Sequence, residues 1–398
     1  MKILVINAGS STVKYQLINM DNDEVMAKGN CDRIGREGSN IEYRVNGEKM
    51  KFDKEMPTHA AAVKIILSYL TDPEIGVIKD ISEIDAVGHR VVHGGERFSG
   101  SVIITDEVKK AVRECYPLAP IHNPANITGI EACEEAMPGV PMVGVFDTAF
   151  HQTMPKTSYL YALPMSLYRE KKIRKYGFHG TSHKYVAERC AALMGKPIEE
   201  LKIITCHLGS GSSICAVKNG KSVDTTMGFT PLDGCIMGTR CGSIDPAVVT
   251  FIMDQYNMTT AEVNDLMNQK SGIYGITDGL SNDFRDLELL YYEKNEKAML
   301  ALDMAHYVTK KYIGSYMAAM GGCDAIVFTA GVGENNAFMR KDVLSAFEFM
   351  GVKVDDERNN VRGKEALITT DDSTVKAFLI PTNEELAIAL ETKRLIEK

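Results

Sequence analysis

Patterns that would identify a function at sight are absent from these 398 residues. The nine cysteines, at 31, 115, 133, 190, 206, 215, 235, 241 and 323, are odd in number and form no CxxC pair. Thiols scattered in this way point to a reduced, cytoplasmic protein rather than a disulfide framework. No apolar run approaches the length of a membrane span. The opening Met-Lys-Ile-Leu-Val-Ile superficially resembles a signal peptide, but its apolar core stops at Asn7 and Lys14 follows soon after, so it reads as a first strand. An excess of positive charge is also missing. Lys and Arg number 45 against 53 Asp and Glu, a net charge of −8, which argues against nucleic-acid and anionic-membrane partners. Hydrophobic content of 44% and charged content of 25% are those of a soluble globular protein, and the length allows two domains of ordinary size.

Nucleotide and metal signatures are incomplete as well. Gly220-Lys221-Ser222 has Cys215 where a P-loop would place its leading glycine, and Ala330-Gly-Val-Gly-Glu-Asn335 lacks the third glycine of a dinucleotide fingerprint. The latter follows an apolar strand and opens a helix, so it is either a capping turn or a place where helix amides meet an anion or nucleotide. His179 and His183 are four apart, yet no HExxH pattern accompanies them, and His89 and His93 straddle a strand end. A zinc site competes here with a histidine suited to developing negative charge in a Gly-rich loop.

What is present is a hairpin that occurs twice. Ile3 to Ile6 reads as a buried strand, Asn7 to Thr12 as a tight small-residue turn and Val13 to Ile18 as a second strand. Gly9 permits close backbone approach, and Ser10, Ser11, Thr12 and Lys14 add hydroxyls and a cation, so the tip is either a bland turn or a phosphate cradle. Two hundred residues later, Lys202 to Val217 repeats the strand–turn–strand shape. Lys2, Ile3, Gly9 and Ser10 recur there, and His207 falls where Asn7 stood. Two such hairpins suggest a duplicated fold closing on one nucleotide.

The rest of the chain fits strands followed by helices, twice over, which reads as α+β or mixed α/β rather than a doubly wound parallel sheet. Strands are expected at 24–28, 41–45, 49–52, 84–92, 142–146, 324–329 and 375–380. Helices are expected at 58–70, 106–115 after the N-cap Thr105, from about 124 to 137, and at 295–320 and 384–397, with a Thr259/Glu262 capping box between. A crossing into the second half is expected near 148–155. Asn7, Arg90 and Asp147 each follow a buried strand, where side chains leave the core in fixed directions.

The motifs Ile-Asn-Ala-Gly-Ser-Ser-Thr-Val-Lys14, His-Arg-Val-Val-His-Gly-Gly95, Gly-Phe-His-Gly-Thr-Ser-His183, His-Leu-Gly-Ser-Gly211, Met-Gly-Thr-Arg240 and Thr-Ala-Gly-Val-Gly-Glu-Asn335 together resemble the acetate kinase family. The match runs from Lys2 to the last helix. It implies an α/β fold of two duplicated ribonuclease-H-like domains, as in the acetate and sugar kinase/Hsp70/actin superfamily, around a nucleotide cleft. The domains would be 1–150, joined by the C-terminal helix 385–398, and 151–384 carrying most of the ATP site. It implies reversible, Mg²⁺-dependent transfer of phosphate from ATP to acetate, giving acetyl phosphate and ADP, with Mn²⁺ as the substitute metal and a homodimer as the assembly.

The resemblance also implies roles. Asn7 and Glu384 would help hold the metal, partly through water. Arg90 would bind the acetate carboxylate, with Val92, Ile121, Phe178 and Pro231 packing its methyl group. Asp147, His122, His179 and Arg240 would surround the transferred phosphoryl group. ATP would be bound by Ser10, Thr12 and Lys14, by His207, Leu208, Gly209, Ser210 and Gly211, by Asp283, Phe284 and Arg285, and by Gly331, Val332, Gly333, Glu334 and Asn335. Cys241 and Ser243 stand where the family more often has Ser and Asp. Acetate is already an anion and needs no general base, so two arginines, a histidine and Mg²⁺ suit the task. Asp147 then orients metal, water or an arginine rather than handling a proton, and a glutamyl-phosphate on Glu384 is the lesser alternative. The rival functions are a propionate or other short-chain carboxylate kinase, a nucleotide-driven conformational switch like Hsp70 or actin, and a zinc hydrolase.

Overall fold

In the computed structural model, which describes residues 1–398, the first strand, β1 (Lys2–Ala8), is central to everything around it. Its β-branched run is buried on both faces, as a strand flanked by helices on each side requires. It pairs antiparallel with β2 (Thr12–Asn19), and the meander continues through β3 (Glu24–Asp32), β4 (Asn40–Val45) and β5 (Glu48–Asp53). On its other side β1 runs parallel to β6 (Ala86–Val91), followed in space by β8 (Met142–Phe146) and the short antiparallel edge β7 (Val102–Ile103). The sheet order is β5-β4-β3-β2-β1-β6-β8-β7.

Alternation along β1 sends its side chains into two separate cores. Leu4, Ile6 and Ala8 pack with Ala62, Val63, Ile66 and Leu70 of the helix His59–Leu70. Ile3 and Val5 pack with Ala86, Val143, Val145 and Ile388, the last on the helix Glu384–Ile396. The C-terminal helix therefore closes one face of the N-terminal sheet. Met1–Gln152 and Asn383–Lys398 form one compact unit, and Thr153–Thr382 the other.

The second unit repeats the plan. Its sheet comprises β9 (Lys202–Leu208), β10 (Ser212–Lys218), β11 (Lys221–Thr225), β12 (Ala325–Thr329), β13 (Ala366–Leu367) and β14 (Lys376–Leu379), in the order β11-β10-β9-β12-β14-β13. Again the first three strands form an antiparallel meander, the next two join parallel to the first, and a short antiparallel strand finishes the edge. The fold is α/β with two mixed sheets of the same ribonuclease-H-like, actin-type order. The helix Glu296–Met320 buries Ile313, Tyr316, Met317 and Met320 against this sheet and ends on Gly321 in the left-handed conformation.

Two local expectations shift. Asn7, expected in the turn, is the seventh residue of the chain and still belongs to β1, directly opposite Lys14 in the ladder. The strand expected at 84–92 starts only at Ala86, because Asp80 caps a 3-10 turn over Ile81–Glu83. The two hairpins also differ in length. Ala8 faces Val13 whereas Leu208 faces Ser212, so the second turn is one residue shorter.

Candidate functional site

In the first unit, three parallel strands deliver polar residues to their C-terminal ends. Ile3 and Val5 face the C-terminal helix, and strand alternation puts Asn7 on that same side, with Lys14 opposite it. On β6 the contact is so close that a Cβ at Gly88 would stand 2.6 Å from Thr392 Oγ1 and 2.7 Å from Ile388 Cγ2. Arg90, two residues on, leaves β6 toward that side. Asp147 follows Val143 and Val145 in the same alternation, directly after β8. The backbone N–H of Asp147 donates to Val91 O at 3.0 Å.

Arg90 and Asp147 form a fork-to-fork pair. Nε donates to Oδ1 at 3.0 Å and Nη2 to Oδ2 at 2.7 Å, with Asp147 only 1% exposed. The carboxylate raises the pKa of Arg90 further, and the pairing leaves its Nη1 side free of Asp147. Glu384 opens the C-terminal helix behind the N-cap Asn383. Burial pushes its carboxyl up to about 7, against the pull of Arg90 and Lys14 and with the aid of Asp147 and Glu385.

Buried amides that sequence reasoning did not single out hold these strand ends. Asn126 accepts from the N–H of Val92 at 3.0 Å and donates to Ala8 O at 2.8 Å. Asn123 accepts from His93 N–H at 3.1 Å and returns a bond to His93 O at 2.9 Å. Both lie on the helix Asn123–Ala136, three residues apart on one face, and that spacing beside Pro124 was the only signal available. Val92 is buried and its neighbour His93 fully so, while Ile121 is 69% exposed and His122 lies at the N-terminal end of that helix. The β1–β2 turn is drawn in by Gly9, whose N–H donates to Thr12 O at 2.8 Å and whose carbonyl meets His59 Nε2 at 2.7 Å. Ser10 at its tip is exposed and Thr12 half-buried.

A magnesium ion bound through few protein oxygens and several waters needs only one or two carboxylates or amides beside the substrate phosphates. The Asn7 amide and the Glu384 carboxyl, brought to one face, fit that requirement. Glu384 also has the chemistry of a group short of positive charge, since burial outweighs its basic neighbours. No group of three His, Cys, Asp or Glu converges in the way a zinc cage needs.

The second unit holds a cavity of about 690 Å³, of nucleotide size. Gly209, Ser210 and Gly211 from the second hairpin turn form one wall, Asp283, Phe284 and Arg285 another, and Gly331, Val332 and Asn335 a third. Arg240 also lines it, together with Gly238, Thr239, Gln269, Asn282 and Arg362, which were not among the expected residues. Gly238 and Thr239 belong to the Met-Gly-Thr-Arg240 motif, whereas nothing in the sequence near Arg362 advertises it. His207 and Leu208 sit behind the wall at the end of β9.

The loop after β12 folds into the short helix Ala330–Asn335, with Ala330 itself at φ +64°. Glu334 pins that turn by accepting from Ala330 N–H at 2.8 Å and Thr382 N–H at 3.1 Å. Gly333 O accepts from Arg340 Nη1 at 2.9 Å. Arg340 is fully buried and takes only uncharged acceptors, Asn359 Oδ1 and the carbonyls of Gly333, Asn359 and Val361. Burial lowers its pKa to about 10. Glu334 and Gly333 thus fix the loop from outside the cavity lining. Asp283 caps the helix Phe284–Tyr292 and pairs with Arg285 Nη2 at 2.6 Å, which holds its carboxyl below the usual range.

His179 precedes the helix Gly180–Met194 in the left-handed conformation, φ +56°, a strained position for a residue with a side chain. Its ring stacks on His207 with centroids 4.1 Å apart. Arg240 donates from Nη1 to Pro231 O at 3.2 Å, and burial lowers its pKa. Phe178 is buried and Pro231 half-buried in this unit. Ser243, one of the two departures from the family pattern, binds Asp233, Gly234 N–H and Tyr312, so it braces the loop leading to Arg240.

Comparison with known proteins gives a consistent picture. The model of the acetokinase family matches residues 2–390. The protein named acetate kinase from Alkaliphilus metalliredigens is 59% identical over 397 residues, covering 100% of both chains. The crystal structure of Porphyromonas gingivalis acetate kinase superposes with a TM-score of 0.97 at 49% identity over 99% of each chain. A propionate kinase from Francisella tularensis superposes with a TM-score of 0.92 at 40% identity, again over 99% of each.

Proposed function

The chain belongs to the acetokinase family, and from that premise we propose that it works as a magnesium-dependent acetate kinase by direct in-line transfer. The activity is that of a phosphotransferase with a carboxyl group as acceptor, taking phosphate from ATP to acetate. The observation that carries the rest is the Arg90–Asp147 fork at the strand ends of the first unit, beside Glu384. Acetate's carboxylate binds the remaining donors of Arg90, and Asp147 orients the guanidinium instead of moving a proton. Val92 and Ile121, of the same unit as Arg90, are the residues we assign to the methyl group. One acetate oxygen forms a bond to the γ-phosphorus as the bond from that phosphorus to the ADP oxygen breaks, so no general base is needed.

Arg240 and His179 stabilise the charge spread over the transferred group, a role we also assign to His122. Asn7 and Glu384 would hold a Mg²⁺ (or Mn²⁺), partly through water, and the ion would supply neutralising charge to the phosphates. Ser10, Thr12 and Lys14 attend the phosphates, while the cavity of the second unit takes the nucleotide, with His207 and Leu208 behind its hairpin wall. The two units act as two domains, the first carrying Arg90, the metal residues and the phosphate-binding Ser10, Thr12 and Lys14, the second carrying most of the ATP site.

We place the enzyme in the cytoplasm as a homodimer. All nine cysteines are free, which suits a reducing compartment. The helix Pro246–Tyr256 buries none of its residues within the chain, yet Val248, Phe251 and Tyr256 are 41%, 62% and 73% exposed, an apolar face suited to a second copy. Nucleic acid and membrane have no place in this reading.

The test is ADP formation with Mg·ATP across acetate, propionate and butyrate, with hydroxylamine trapping the acyl phosphate. Acetate should give the highest kcat/KM. Propionate in first place would make the enzyme a propionate kinase, since one methylene is worth only about 1–3 kcal/mol. Slow hydrolysis indifferent to any acid would instead point to a conformational switch.

A further inference from the structure

The hydroxyl of Ser213, on β10, lies between two imidazoles. Its Oγ is 2.8 Å from His179 Nδ1 and 2.7 Å from His183 Nε2, and His183 Nδ1 is in turn 2.7 Å from Thr205 Oγ1. Ser213, His183 and Thr205 are each 0% exposed, so these bonds run in a line through the interior of the second unit. A β-carbon built on Gly211 would be 3.5 Å from Arg240 Nη1, 3.7 Å from His179 Cε1 and 3.8 Å from His179 Nε2. The outer edge of the His179 ring therefore stands beside Arg240 at the wall that Gly211 gives to the cavity.

A hydroxyl has one proton to donate and lone pairs with which to accept, so the line has a restricted set of proton arrangements. With neutral His179, Ser213 donates to Nδ1, His183 Nε2–H donates to Ser213, and Thr205 donates to His183 Nδ1. The proton of His179 is then on Nε2. With protonated His179, Nδ1–H donates to Ser213, Ser213 donates to His183 Nε2, and His183 Nδ1–H donates to Thr205. In both of these arrangements Nε2–H is a donor aimed away from the line; the third, a neutral His179 with Nδ1–H donating to Ser213, leaves Nε2 an acceptor, which a phosphoryl oxygen beside it disfavours. His179 is faced by His183 from its own helix, by His207 from β9 and by Arg240 across Gly211.

We infer that Ser213, backed by His183 and Thr205, is a positioning residue that holds His179 with its Nε2–H toward the transferred phosphoryl group. This rests on the reading that His179 faces that group. Ser213 touches no substrate, and its effect passes through the ring it holds. A donor misplaced by about an ångström costs up to about 100-fold in rate, so the supporting hydroxyl governs kcat rather than substrate affinity.

The experiment is a double-mutant cycle on the full-length protein, with kcat and both KM values measured for Ser213→Ala, His179→Ala and the pair. Ser213→Ala should lower kcat by about 10- to 100-fold with KM values changed less than about threefold, and should cost nothing further in the His179→Ala background. Thr205→Val, which keeps the shape of the side chain, should lower kcat by a smaller factor and also lose its effect when His179 is Ala. It carries the test if Ser213→Ala does not fold. Equal losses from Ser213→Ala or Thr205→Val in both backgrounds would reduce the line to a structural element and overturn the inference. A costly His179→Ala with neutral Ser213→Ala would also overturn it while leaving the role of His179 intact. A neutral His179→Ala would remove the phosphoryl-facing role of His179 itself, and the inference with it.

Discussion

A carboxyl that titrates near 4.5 in the unfolded chain and near 7 in the folded one takes up a proton on folding at every pH between those values. For Glu384 the sign follows directly. Below about 4.5 both states are protonated and the group contributes no difference. As pH rises toward 7 the native state holds the extra proton, so stability falls, and above 7 the full penalty of a buried charge is present. Glu384→Gln should therefore raise Tm at pH 8 in metal-free buffer, and that gain should vanish near pH 4.5. Thermal unfolding of both proteins at the two pH values checks this, and an equal gain at both would remove electrostatics as its cause. The two arginines call for a different readout. Arg240 faces the cavity with its charge only partly offset by neutral acceptors, so Arg240→Ala should lower kcat by roughly 10³-fold, the scale of a lost arginine finger. A loss of less than about tenfold, about 1.4 kcal/mol, would take Arg240 out of the transition state. Arg90 is engaged by Asp147 before any substrate arrives, so Arg90→Ala should chiefly raise KM for acetate, measured at saturating ATP.

At the scale of elements, the decisive contact is between β6 and the C-terminal helix. A β-carbon at Gly88 would meet Thr392 Oγ1 and Ile388 Cγ2 so closely that those side chains must shift, and Glu384 stands on the first turn of the same helix. Gly88→Ala should destabilise the protein by about 1–3 kcal/mol, the usual cost of overpacking, and weaken the response to Mg²⁺ by moving Glu384 off the sheet. Denaturant unfolding and a Mg²⁺ titration of the rate would show both effects, whereas a stability loss with an unaltered titration would separate Glu384 from the metal. Gly88 gave no sign of this in the sequence, because its partner in packing is some 300 residues away. Features governed by near neighbours were legible. Thr105, Thr259 with Glu262, and Asn383 cap their helices as their side chains and spacing dictate, and Gly321 ends the long helix. The cavity wall from Gly209 to Gly211 was legible as a small-residue turn. Asn126 and Arg340 were not, because a buried amide or a guanidinium that bonds distant carbonyls has no local pattern to announce it, and Arg362 reaches the cavity wall from an exposed position with no motif around it. The strand order was likewise only half visible: the paired hairpins showed, while the short edge strands β7 and β13 are too brief for alternation to register.

For the whole molecule, the two units differ in how they depend on the chain. The second is continuous from Thr153 to Thr382, with its own buried cluster around Ile204, Phe328 and Leu379, and every residue lining the 690 Å³ cavity lies within it. The first is not continuous. Ile3, Val5, Ala86, Val143 and Val145 are covered by Ile388 and Ala389, so residues 1–152 alone would expose one apolar face of their sheet to water. The duplicated strand order thus conceals an asymmetry, because one copy borrows its last helix from the far end of the sequence. A fragment of residues 153–382 should fold by itself and bind ATP within about tenfold of the full-length affinity, a difference of about 1.4 kcal/mol. A fragment of residues 1–152 should aggregate or remain unfolded, and adding the segment 383–398 through a short linker should restore a cooperative transition. Calorimetric titration of the first fragment with ATP and circular dichroism of the other two check the scheme. If 153–382 folds without binding ATP, groups from the first unit are required for the nucleotide as well as for the acceptor.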